Sequence, residues 1–157
     1  MLYDILIVIV GFLGLVAGYI LKEFVKEEVK EGKKWFVLSY QFILGIFILF
    51  LFYLGFKNYL FYIGILFGLI LSTFIPIYSL LGLSLVANFN GYLFLNSSLI
   101  FILGIFYGIL KKNLRILFNL ILFLVPFLLF FIRIDLYYLI LGSIVGGLLK
   151  KYDIYNS

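Results

Sequence analysis

From Asn58 to Leu110 the chain runs for 53 residues without a charged side chain. A helix that crosses the ~30 Å hydrocarbon core of a bilayer needs about 20 such residues. The stretch is too long for one crossing and too apolar for a surface loop. The number of times it crosses sets the side on which every later loop lies. On both flanks the apolar runs are shorter, and each is closed by Lys, Arg, Asp or Glu.

Composition argues against a soluble fold. Of the 157 residues, 66% are hydrophobic and 12% charged, whereas soluble domains carry about 25% charged residues. A small soluble domain exposes too large a share of its surface to hide this much apolar material. The expected fold class is therefore an all-α polytopic integral membrane protein, a single membrane domain over residues 1–157 whose first partner is the lipid bilayer. The net charge of +5 does not point to nucleic acid, because Lys and Arg sit in short groups at the ends of apolar runs rather than along one face. The chain has no Cys and no His, which removes disulfides, Cys/His zinc sites and Ser–His–acid catalysis. Neither a cofactor, a metal nor an enzymatic activity is expected. Asp4 stands where a signal peptide would carry Lys or Arg, so residues 1–21 read as a retained helix.

In order, the spans are Ile5–Leu21, then Trp35–Phe56, then the long uncharged stretch, then Ile116–Ile132 and Leu136–Leu149. The charged segment Lys22–Lys34 is expected to prolong the first helix and end near Gly32. Ser72, Thr73 and Pro76 mark a break inside the long stretch, since Pro suits a helix start and not its interior. Asn88, Asn90 and Gly91 mark a second, and Asn96, Ser97 and Ser98 read as a helix cap. A kink is expected at Pro126.

Four GxxxG pairs recur in a fixed order: Gly14 and Gly18, Gly64 and Gly68, Gly104 and Gly108, Gly142 and Gly146. The first pair maps onto the third at an offset of 90 residues, together with Lys22 onto Lys112. The second maps onto the fourth at 78, together with Gln41 onto Asn119. This pattern predicts two copies of a three-helix unit, about 4–74 and 96–150, joined by a linker at 75–95. The glycines are expected to serve helix packing, since Gly lets backbones approach closely. Gln41 and Asn119 are the candidate intramembrane polar pair.

Charge selects between two topologies. With six crossings the repeats are inverted and Lys/Arg divide evenly. With seven crossings the repeats are parallel and the linker is itself a helix. Lys22, Lys26, Lys30, Lys33, Lys34, Lys111, Lys112, Arg115, Lys150 and Lys151 then share one side, against Lys57 and Arg133. The positive-inside rule favours seven, with the N-terminus outside and the C-terminus in the cytoplasm of a cell membrane. A three-plus-one-plus-three layout of this kind resembles SWEET and PQ-loop proteins in architecture. Their Pro-Gln dipeptide is absent, as Pro76 and Pro126 precede Ile77 and Phe127, and no residue role is carried over.

No charged residue falls in the middle of a span, which excludes the usual marks of proton or ion coupling. The expected function is transporter-like, for a neutral or lipidic solute. The alternative is a non-catalytic subunit or assembly factor of a membrane complex, with a second copy or another membrane protein as partner.

Overall fold

The structure, a computed structural model, describes residues 2–73, 76–87, 92–110, 116–124 and 137–154. It is all-α, with seven helices among the described residues: α1 (Leu2–Phe24), α2 (Lys26–Gly55), α3 (Tyr59–Leu71), α4 (Ile77–Ala87), α5 (Leu93–Leu110), α6 (Ile116–Leu124) and α7 (Tyr137–Ile154). The expected turns at Asn88–Gly91 and Arg133–Asp135, the basic segment Lys111–Arg115 and the kink at Pro126 lie outside the described residues.

Local chemistry explains most of the boundaries. Val25 leaves the helical region (φ −110°, ψ 33°) and separates α1 from α2. Lys22 sits in the last turn of α1, and Glu27 and Glu28 in the first turn of α2. A cation at a helix C-terminus and anions at an N-terminus both oppose the helix dipole favourably. The charged segment therefore opens α2 rather than closing α1. Gly32 lies inside α2, contrary to the expectation that it ends a helix; its cost of about 1 kcal/mol is small beside the propensity of the Lys and Glu around it.

Asn58 begins α3 with extended backbone, and its Oδ1 accepts from the Leu60 N–H at 2.9 Å. This satisfies one of the free N–H groups at the helix start. At the other end, the Ser72 and Thr73 hydroxyls donate back to Leu69 O and Ile70 O. Pro76 then precedes α4, and its carbonyl accepts from Ser79 and Leu80. The break expected at 73–76 is observed. The expected cap at Asn96–Ser98 is not: α5 begins at Leu93, and Asn96 N–H already bonds Tyr92 O.

Contact registers give the helix directions. Ile7 faces Ser97, Gly14 faces Phe101 and Gly18 faces Ile105, so α1 and α5 run parallel. Gly64 faces Leu139, Gly68 faces Ser143 and Leu69 faces Lys150, so α3 and α7 also run parallel. Along α2 the order reverses: Phe36 meets Phe106, Tyr40 meets Tyr107 and Phe50 meets Tyr92. Helix α4 returns the chain: Leu80 lies beside Gly147 near the end of α7, and Ser84 beside Asn96 near the start of α5.

The buried core is apolar, drawing Leu15, Leu44, Phe47, Leu51, Phe61, Leu85, Ile100, Phe123, Leu141 and Ile144 from all seven described helices. The exposed surface is apolar as well. On α2, Phe42, Leu49 and Tyr53 are about 70% exposed, and Leu66, Phe67 and Ile70 form an open face on α3. Two helices, Glu27–Gly55 and Leu93–Leu110, are long and apolar enough to cross a membrane. Of their apolar segments, 28% of the first and 50% of the second is buried. Tyr59–Ile70 and Tyr137–Lys150 are shorter apolar helices.

Candidate functional site

The two most extensive helix interfaces are α1 with α5 and α3 with α7. Glycine places the backbones in contact at both. A Cβ added at Gly64 would fall on Leu139 O, and one at Gly142 would fall on Phe61 O. One added at Gly68 would fall on Ser143 O, and one at Gly146 on Ile65 O. Each glycine thus meets the residue three positions before its counterpart, in both directions. The partners Leu139 and Phe61 are themselves 78 residues apart, as are Ser143 and Ile65.

The crossing of α1 and α5 follows the same rule less strictly. A Cβ added at Gly14 or Gly18 would fall on the Phe101 or Ile105 carbonyl, and one at Gly108 would lie 2.8 Å from Leu15 O. One at Gly104 would instead lie 2.7 Å from Leu15 N and 2.9 Å from the Gly14 carbonyl carbon. All eight glycines singled out by sequence therefore sit at helix crossings, in backbone contact across the partner helix. The other observation is who faces whom: the first pair meets the third, and the second meets the fourth. Gly82 adds a further close approach, of α4 on the Phe123 carbonyl of α6.

Side chains reinforce these crossings at their ends. Ser97 Oγ donates to Ile7 O at 2.6 Å, tying α5 to α1. Lys150 Nζ donates to Leu69 O at 3.3 Å, placing a cation at the C-terminal end of α3, where the helix dipole favours it.

A second polar group lies where α4 meets α5. Asn96 is fully buried, and its Nδ2 donates to Ser84 O at 2.7 Å and approaches Ser84 Oγ at 3.4 Å. Ser84 Oγ donates in turn to Leu81 O at 2.7 Å. Asn96 Oδ1 is buried with no hydrogen-bond partner. Among the described residues the buried polar side chains are Ser72, Ser84, Asn96 and Ser97, none of them charged.

The sequence-derived polar pair stands apart from this junction. Gln41 on α2 and Asn119 on α6 are both half-buried. Helix α2 packs chiefly on α5 and α7, and α6 on α4. The two helices share no extensive interface among the described residues. Asn96, expected to cap α5, lies inside it instead, and the signal for it is a polar residue in an apolar run with no charge nearby.

No family model, curated protein or solved structure matches the chain. The reading of its function rests on its own residues. Among the described residues no group of three or more Asp and Glu side chains is placed to hold a metal ion.

Proposed function

We propose that this chain is a seven-crossing integral membrane protein built from two parallel three-helix repeats, with α4 as the linker helix, and that it works as a transporter-like protein for a neutral or lipidic solute. The observation that carries this reading is the reciprocal contact of Gly64 with Leu139 and Gly142 with Phe61. Parallel mates in reciprocal register are what a pseudo-two-fold axis along the helices produces. Inverted repeats would set the mates antiparallel. Parallel repeats about an axis normal to the membrane are one of the recurring transporter layouts, with solute sites near the midplane where the repeats meet.

Direction and charge agree with this layout. The C-terminal ends of α1, α5 and α7 lead into Lys22–Lys34, Lys111–Arg115 and Lys150–Lys151, while Lys57 follows the C-terminal end of α2, which runs the other way. The basic end is assigned to the cytoplasm, which puts the N-terminus outside. Helix α5, at 18 described residues, spans about 27 Å, close to the ~30 Å of a hydrocarbon core. The uncharged buried polar groups favour a neutral solute and a non-enzymatic role.

A second reading, a non-catalytic subunit of a membrane complex, draws on the apolar core. It is weakened by the use of all four glycine pairs inside the chain, which leaves none of them for a partner helix. Uptake of radiolabelled neutral solutes into proteoliposomes tests the first reading. Uptake above protein-free vesicles, reduced by Gln41→Leu or Asn119→Leu, supports it. No uptake of any neutral solute, with stoichiometric co-purification of one membrane protein, overturns it in favour of the second.

A further inference from the structure

We propose that Asn96 Oδ1 is the acceptor of a binding site for a neutral hydroxyl donor, at the junction of α4 and α5. The proposal deepens the transporter-like reading and rests on it for the identity of the solute. The chemistry starts from orientation. Asn96 Nδ2 donates to Ser84 O of α4 at 2.7 Å. Exchanging the amide nitrogen and oxygen would set Oδ1 against a carbonyl oxygen, so this bond fixes the orientation.

With Nδ2 committed, Oδ1 is buried and has no hydrogen-bond donor. The nearby hydroxyls do not supply one. Ser84 gives its proton to Leu81 O, and Ser97 gives its proton to Ile7 O. Buried polar groups in folded proteins are satisfied with few exceptions, and an exception calls for an unseen partner. The remaining valences at this junction are acceptors, so the missing partner is a donor. It is neutral, because the buried polar side chains among the described residues include no carboxylate to balance a cation. A hydroxyl fits, and a polyol or sugar presents several.

Position supports a solute rather than a purely structural role. The junction lies where the linker helix α4 meets α5 of the second repeat, one residue from the bond that ties α5 to α1 of the first. It is also uncharged, as a site for a neutral solute must be. A buried water offers the same donor chemistry, and the experiment separates the two.

The native chain has no Cys, so Ser84→Cys installs a single reporter thiol. The full-length variant in phosphatidylcholine vesicles is alkylated with N-ethylmaleimide, with and without glycerol or glucose. Betaine, which has no hydroxyl, is the osmotic control. The expected result is slower alkylation in glycerol or glucose, roughly tenfold at ten times the dissociation constant, with none in betaine. Adding Asn96→Leu abolishes the protection. An alkylation rate indifferent to both polyols, or no alkylation at all, overturns the proposal and leaves a structural water as the donor. Protection that survives Asn96→Leu overturns it also. If Ser84→Cys does not fold, Leu81→Cys reports from the same face of α4 one turn earlier. Polyol flux in the same vesicles is read separately. Protection without flux keeps the site and removes the transporter reading; flux without Asn96-dependent protection does the reverse.

Discussion

Replacing Gly142 and Gly45 by Ala, one at a time, should move stability in opposite directions. At Gly142 the new Cβ would collide with Phe61 O and lie 2.9 Å from both Phe61 C and Ile65 N. Ordinary Cβ contacts begin near 3.4 Å. Every one of these neighbours is backbone, so none can rotate away, and α7 must part from α3 by about 1 Å. Overpacking of this kind costs about 1–3 kcal/mol. Parting the helices also loosens the crossings at Gly64, Gly68 and Gly146, where close backbone contacts contribute about 0.5–1 kcal/mol each. The expected loss is about 3 kcal/mol. At Gly45, inside α2, a Cβ meets nothing within 4 Å. Ala there reduces the backbone entropy lost on folding and gains about 0.5–1 kcal/mol. The variants should differ by about 3.5 kcal/mol, roughly 300-fold in the unfolding constant. Titration of the protein in mild-detergent micelles with sodium dodecyl sulfate, followed by far-ultraviolet circular dichroism, measures both. Agreement of the two within about 0.5 kcal/mol would refute the argument, since it would mean that the crossing does not depend on backbone contact.

The reciprocal contacts predict that Gly64→Ala costs the same as Gly142→Ala to within about 1 kcal/mol in the same titration; a several-fold disparity would break the two-fold relation. Asn58→Ala should lower stability by about 1 kcal/mol through loss of the bond to Leu60 N–H, whereas Asn58→Gly should cost only a few tenths. Ser97→Ala, which removes the donor to Ile7 O, should cost about 1 kcal/mol, and an unchanged midpoint would show that α1 and α5 are held by glycine contact alone. Single cysteines at Lys33, Lys112 and Lys151 should label from one side of the membrane and one at Lys57 from the other; labelling of positions 33 and 112 from opposite sides would exclude the parallel arrangement.

Features that depend on local chemistry were legible in the sequence. Pro76 and the hydroxyls before it mark the end of α3, because they act on neighbouring backbone groups. The glycine pairs mark the crossings, because close approach leaves few residue types to choose from. The boundary at Val25 lies within a run of Lys and Glu that suits helix on either side of it, so composition does not locate it, although Lys22 before it and Glu27 and Glu28 after it match the dipoles of the two helices. What the sequence could not carry is which way a side chain turns on an apolar helix. The stretch around Asn96 has apolar residues on every face, so no periodicity shows the inward side. Asn96 and Ser97 read as caps until α4 and α1 are seen to pack on them.

The pairing of α1 with α5 and of α3 with α7 has a consequence for synthesis. When α3 leaves the ribosome, the helix that will cover Gly64 and Gly68 is still some 80 residues from being made. Until then the glycine faces of the first three helices have only one another and their surroundings to meet. Pairings so distant along the chain form late, and the waiting faces are open to wrong partners in the interval. A chain stopped before Tyr137 leaves α3 uncovered for good. Quality control that recognises unpaired glycine faces would see every such truncation, because α7 is the helix that covers Gly64 and Gly68.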